Sequence, residues 1–305
     1  MIRRLAVLGA VLIGAATLMS CAPEWTPSAH PTGAEHYVSF GDSWVSGPLI
    51  ANQVGDPIDC GRSDHNFASL LAQHLDVAAF TDMSCGGADI GDLWKPHKAN
   101  LGGKAPAQFD ALRSDTTLVT IGMGGNDASI ADSSIKCVNI LPIPLGPPPF
   151  GKPCVDGFTS GGVDKIAAKI AKVRPKMDDA LAEIHRRSPH AEVYVIGYGA
   201  AFPDTGDGCW PYVPLLPPDV RYLRAKMQEL NVVLAQSAAD AGAHFVDVWS
   251  LTRGHDLCQP YGTAWVNGVA LDPPGFPAHA NAFYHEHLAD YLAGLVRSDE
   301  GVSPS

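Results

Sequence analysis

Basic side chains are scarce in this chain of 305 residues: 21 Lys and Arg stand against 32 Asp and Glu, a formal charge of −11. That balance disfavours nucleic acid and anionic membrane surfaces as partners. No Cys-x-x-Cys pair and no His-Glu-x-x-His occurs, so the usual zinc and redox signatures are missing, and no metal or cofactor is implied. The chain also lacks internal repeats and any break in composition that would divide it. With 46% hydrophobic and 17% charged residues it can bury one sizeable core, and a monomer with one main domain is expected.

The longest N-terminal apolar run, Leu5 to Leu18, is too short to span a bilayer. It follows Arg3 and Arg4 and precedes Met19-Ser20-Cys21, the layout of an export signal over residues 1–20. Leu18-Met19-Ser20-Cys21 resembles a bacterial lipobox, in which the cysteine becomes the lipidated first residue, although Met19 is larger than the usual residue there. Plain secretion with a nearby cleavage is the alternative. A membrane is then met only through a lipid on Cys21. Residues 21–34, rich in Pro, Ser and Thr, read as a tether, 35–298 as the folded domain and 299–305 as a tail. The other six cysteines form an even set in an exported chain, which argues for three disulfides. The sequence does not choose among their connectivities; nearest-neighbour pairing, Cys60 with Cys85, Cys137 with Cys154 and Cys209 with Cys258, is the expectation.

Five apolar runs rich in β-branched and aromatic residues predict buried strands: 36–40, 77–82, 118–122, 193–198 and 244–248. Helical periodicity marks 67–74 after a Ser63/Asp64 cap signal, 163–187 with a kink at Pro175, 220–241 and a last helix over 282–296. Strands alternating with helices imply an α/β fold: a three-layer α/β/α sandwich around a five-stranded parallel sheet. Two irregular, cysteine-containing stretches, 137–154 and 205–218, read as stapled loops near a substrate mouth.

The first strand stops abruptly at Gly41-Asp42-Ser43, and ligands and nucleophiles gather at the C-terminal ends of parallel strands. Ser43 is therefore a candidate nucleophile, with Asp42 bracing the turn. After the second strand comes Cys85-Gly86-Gly87, and after the third Gly124-Gly125-Asn126-Asp127. The Ser43 N–H, the Gly87 N–H and the Asn126 amide are candidate oxyanion donors, since residues without a Cβ let a backbone N–H approach a reacting oxygen. A serine needs a base, and among twelve histidines His279 stands on a loop just before the last helix. His285 and His287 lie inside that helix and, two residues apart, do not face together as metal ligands.

These blocks, Gly41-Asp42-Ser43, the glycine after Cys85, Gly124-Gly125-Asn126-Asp127 and a late His279-Ala280-Asn281, resemble in order those of the SGNH or GDSL hydrolases. Cys60-Gly61-Arg62-Ser63 is similar to a pattern in an actinobacterial branch of secreted lipases and esterases with three disulfides. The resemblance implies a flavodoxin-like sheet and ester hydrolysis through an acyl-enzyme, with Ser43 as nucleophile and His279 as base. Gly87, Asn126 and the Ser43 N–H would be the oxyanion donors. The family usually carries Asp three residues before the histidine, where this chain has Phe276. The Phe276 backbone carbonyl is therefore expected to orient His279, with Asp272 as the alternative. Small-molecule or lipid esters are the implied substrates. A cell-wall acetyl-glycan esterase and a non-catalytic lipid- or glycan-binding lipoprotein are the rival readings. Trp44, Trp94, Trp210 and Trp265 are candidates to line the pocket, against ordinary packing.

Overall fold

Successive side chains of a strand point to opposite faces, and in Tyr37-Val38-Ser39-Phe40 that alternation feeds two separate cores. Val38 and Phe40 pack with Val119, Ile121, Val193 and Val195 on one side of a sheet, while Tyr37 packs with Leu118, Tyr194 and Ile196 on the other. A strand buried on both faces belongs in the middle of a parallel sheet. In this computed structural model, which describes residues 36–141, 145–269 and 275–299, five strands build that sheet. They are β1 (His36–Gly41), β2 (Ala79–Asp82), β3 (Leu118–Gly122), β4 (Glu192–Ile196) and β5 (His244–Val246), in the order β2-β1-β3-β4-β5 and all parallel. The export signal, Cys21, the tether and Asp272 lie outside the described residues.

The helices that frame the site are α1 (Ser43–Ser46), α2 (Phe67–His74), α3 (Ile130–Lys136), α4 (Lys165–Arg187), α5 (Pro217–Ala241) and α6 (Ala282–Asp299). Ile166, Ile170, Val173 and Met177 of α4 and Leu223, Met227, Leu230 and Leu234 of α5 close the first core. Phe67 and Leu71 of α2 and Leu288 and Leu292 of α6 close the second. The result is the three-layer α/β/α sandwich. Truncating a wholly buried member such as Leu230 or Leu288 to Ala costs about 2–5 kcal/mol through lost contact and the cavity left behind.

Local details depart from the sequence reading for visible reasons. Helix α2 is capped by Asn66, whose side chain accepts from the Ser69 N–H at 2.8 Å, because Arg62 and Ser63 are occupied in a short antiparallel pairing with Gln53 and Val54. The second strand starts at Ala79 rather than Val77, since the Val77 N–H still closes α2 on the Ala72 carbonyl at 3.2 Å. Helix α4 runs continuously through Pro175. The disulfides join Cys60 to Cys85, Cys137 to Cys154 and Cys209 to Cys258.

Strand β1 connects outward to β2 on one side while β3 lies on its other side, so the sheet order reverses between β1 and β3. The loops after these two strands diverge there and leave a crevice at the carboxyl edge. Ser43 follows β1 and Asn126 follows β3.

Candidate active site

The turn that carries Ser43 is held from several directions. The Gly41 N–H donates to the Gln108 side-chain oxygen and the Gly41 carbonyl accepts from the Gln108 amide, both at 2.9 Å. The Asp42 N–H donates to the Gly122 carbonyl at 3.2 Å, which ties the ends of β1 and β3 together. Helix α1 then begins with Asp42 as its N-cap, one carboxylate oxygen accepting from the Trp44 N–H at 2.8 Å. Glycine is required on both strands because Val45 packs directly over them: a Cβ at Gly41 would lie 2.2 Å, and one at Gly122 2.7 Å, from Val45 Cγ2.

His279 arrives from the far end of the chain on a loop braced by 264–268. The Ala278 N–H donates to the Asn267 and Gly268 carbonyls at 3.1 and 3.0 Å, and the Asn267 N–H donates to the His279 carbonyl at 2.9 Å. Asn281, the last residue of the His-x-Asn pattern, donates its amide to the Ala264 carbonyl at 2.8 Å and so anchors the same brace. The Phe276 N–H donates to the Pro48 carbonyl at 2.9 Å and fastens the loop to the segment after α1.

Across this junction His279 Nε2 lies 2.9 Å from Ser43 Oγ. His279 Nδ1 lies 2.9 Å from the Pro277 carbonyl oxygen. A carbonyl only accepts, so Nδ1 carries the proton and Nε2 presents its lone pair to the serine hydroxyl. The expectation for Phe276 is corrected here: its carbonyl does not meet the imidazole, and that of Pro277 does. The reason is Ala278, whose φ of 56° in the left-handed region folds the chain back so that the carbonyl two residues before the histidine faces its own ring. Phe276 instead sets its ring against the imidazole edge-on, centroids 5.1 Å apart. Burial pushes the His279 imidazole below its ordinary pKa, with the Pro277 carbonyl working against that, so the neutral form, whose Nε2 can accept a proton, is favoured.

The second and third loops are locked to one another. The Asn126 amide donates to the Ala88 carbonyl at 2.8 Å, and the Asp127 carboxylate accepts from the Ile90 N–H at 2.9 Å while Lys176 reaches its other oxygen at 2.5 Å. Ser43, Asn126 and His279 line one cleft of about 280 Å³; Gly87, at φ 83° in the left-handed region, is next to Ala88 but is not part of the cleft lining. Of the four tryptophans expected as pocket candidates, Trp44 lines the cleft, while Trp94 packs on Phe109, Trp265 stacks on His255 and meets His287, and Trp210 donates to the Asn139 carbonyl. His285 is buried, pushed down to about 3 by desolvation, and accepts from the Phe67 N–H at 3.0 Å, a packing role.

Two residues of this site were not singled out from the sequence. Gln108, in a short turn, is bonded to Gly41 from 67 positions away. Tyr198 follows β4 in Gly197-Tyr198-Gly199, and the strand-edge rule that selects Ser43 and Asn126 applies to it equally. Its hydroxyl meets both Asp42 and Gly125, at 2.5 and 2.7 Å.

A strand-end serine paired with a carbonyl-oriented histidine at the switch point of a parallel sheet defines a serine hydrolase. Residues 39–286 match the GDSL-like Lipase/Acylhydrolase family, and the chain belongs to it. It is a carboxylic ester hydrolase. It is 32% identical over 297 residues to Lipase 2 of Streptomyces coelicolor, covering 96% of this chain and 97% of that protein. The crystal structure of an extracellular lipase from Streptomyces rimosus superposes with a TM-score of 0.62 at 28% identity, covering 85% of this chain and 99% of the other. That of phospholipase A1 from Streptomyces albidoflavus NA297, at 24% identity and covering 87% and 99%, shares the fold with a TM-score of 0.67.

Proposed function

We propose that the chain hydrolyses esters of hydrocarbon acids through an acyl-enzyme on Ser43, with His279 as the base. The observation that carries the reading is that the Ser43–His279 pair opens onto a cleft whose walls are hydrocarbon, among them Ile130, Val138, Phe202, Val213, Leu215 and Leu257. A fatty acyl chain is satisfied by such walls, whereas a sugar would leave its hydroxyls without partners. This favours a lipase or esterase over the acetyl-glycan alternative.

Ser43 Oγ attacks the ester carbonyl carbon as its proton passes to His279 Nε2. The carbonyl electrons move onto oxygen, where the Ser43 N–H and the Asn126 amide donate. The intermediate collapses, the C–O bond to the alcohol breaks, and His279 returns the proton to the leaving oxygen. Water then attacks the acyl-enzyme, giving its proton to His279, and the acid departs as Ser43 regains the proton. The Pro277 carbonyl holds the imidazole in the required tautomer throughout.

The test is turnover of p-nitrophenyl esters of increasing chain length by the wild type, Ser43→Ala, His279→Ala and Leu215→Trp. Loss of about 10³-fold or more in kcat for the first two variants is expected. A shift of preference toward short acyl chains is expected for Leu215→Trp. Retention of activity by Ser43→Ala would sink the reading. Three disulfides also support export, because they persist in oxidising compartments. The Cys21 anchor is tested by Cys21→Ala, which should move the protein from the membrane fraction to the medium.

A further inference from the structure

We propose that Tyr198 is a positioning residue for ester hydrolysis: its hydroxyl spaces the Ser43 turn from the Asn126 loop, and so holds two oxyanion donors at working distance. The inference rests on the roles given above to Ser43, His279 and Asn126.

The direction of each bond follows from what each group can do. The Gly125 N–H only donates, so at 2.7 Å the Tyr198 hydroxyl accepts from it. The single hydroxyl proton is then left for Asp42, whose carboxylate oxygen lies 2.5 Å away. The other oxygen of that carboxylate accepts from the Trp44 N–H at 2.8 Å. Ser43 therefore stands between two residues fixed by one carboxylate, and Asn126 directly follows the glycine fixed by the same hydroxyl. No backbone bond links Gly125 to the Ser43 turn among those of the described residues.

Tyr198 is itself rigid. Its N–H donates to the Asn231 side-chain oxygen and its carbonyl accepts from the Asn231 amide, both at 2.8 Å, which pins it to α5. Its ring meets Trp44 edge-on with centroids 5.7 Å apart. Gly125 must be glycine for the link to form, because a Cβ there would sit 2.9 Å from the hydroxyl oxygen. The whole link is buried beneath the cleft that Asp42, Gly125 and Tyr198 help to line. Donor spacing matters most once charge has developed on the substrate oxygen, so losing it should slow the chemical step more than it weakens substrate binding.

The experiment compares full-length wild type and Tyr198→Phe on p-nitrophenyl butyrate, with reactive serines counted by the burst from a p-nitrophenyl phosphonate. A wild type without a stoichiometric burst overturns the Ser43 assignment and this inference with it. With the burst present, the inference predicts kcat per titrated site at least fivefold lower in Tyr198→Phe with KM within twofold. A smaller fall in kcat or a loss carried by KM overturns it. If Tyr198→Phe does not fold, Gly125→Ala carries the test, since its Cβ forces the same link apart, and the same kcat and KM criteria decide.

Discussion

His279 Nε2 stands 2.9 Å from Ser43 Oγ although 236 positions separate the two residues in the chain. The contact depends on two independently braced turns: one built on Gly41, Gly122 and Gln108, the other on Ala264, Asn267 and Asn281.

The Pro277 carbonyl occupies the Nδ1 side of His279, so no carboxylate is needed to orient the ring. Asp272→Asn should leave kcat on p-nitrophenyl butyrate within about twofold of wild type, far from the ~10⁴-fold loss seen when a triad carboxylate is neutralised. A large fall with an unchanged melting temperature would show that the carbonyl is insufficient.

The proposed mechanism requires neutral His279, and burial holds its pKa below the ordinary 6.5. The acid limb of kcat/KM should therefore bend below pH 6.5, with turnover persisting where a free imidazole would be mostly protonated. Asp42, pushed up to about 6 chiefly by burial and restrained by the Tyr198 hydroxyl and the Trp44 N–H, titrates nearby. Profiles of wild type and Asp42→Asn separate the two, because the limb that survives in the variant belongs to the histidine.

Asp42 also links stability to pH. Its proton is held more tightly in the folded state, at about 6, than in the unfolded chain, at about 3.8. That contribution is complete below pH 3.8 and is lost as pH rises through about 6. Denaturant unfolding should show Asp42→Asn gaining on wild type by about 2–3 kcal/mol between pH 4 and pH 7. A constant difference across that window would refute the raised value.

Gly41→Ala should be disabling, since the new Cβ would lie 2.2 Å from Val45 Cγ2 with backbone bonds to Gln108 fixing both sides of the residue. Overpacking of this kind costs about 1–3 kcal/mol, and here it also displaces the turn that carries Ser43. The double variant Gly41→Ala/Val45→Ala removes the obstructing side chain and should recover much of the stability. If the double variant is no better than the sum of the single changes, the clash is not the cause.

Much of this site was legible because its signals are local. Gly-Asp-Ser at the end of a buried run and a glycine-rich loop carrying Asn126 sit at strand ends that the apolar runs predict, and His279 stands on a loop before the last helix. The family blocks add order to those signals. The expectation for Phe276 failed on a single backbone angle: Ala278 adopts φ 56°, a conformation an alanine seldom takes, and nothing in Phe-Pro-Ala-His announces it. The capping of α2 by Asn66 was missed because Ser63, the nearer cap signal, is drawn into a strand pairing with Gln53.

The sequence by itself determined the layers, the carboxyl ends of the first three strands and the residues that can act as nucleophile, base and donors, since periodicity and side-chain chemistry are properties of short segments; the fourth and fifth strands end at Ile196 and Val246, two residues before the ends their apolar runs predict. Only the tertiary structure decided which carbonyl turns His279 and how Tyr198 joins Asp42 to Gly125 across 156 and 73 positions. The first turns on the backbone angle of Ala278, in a loop braced by 264–268, and the second joins segments remote in the chain, where packing of the whole sheet with its helices sets distances that no local pattern records.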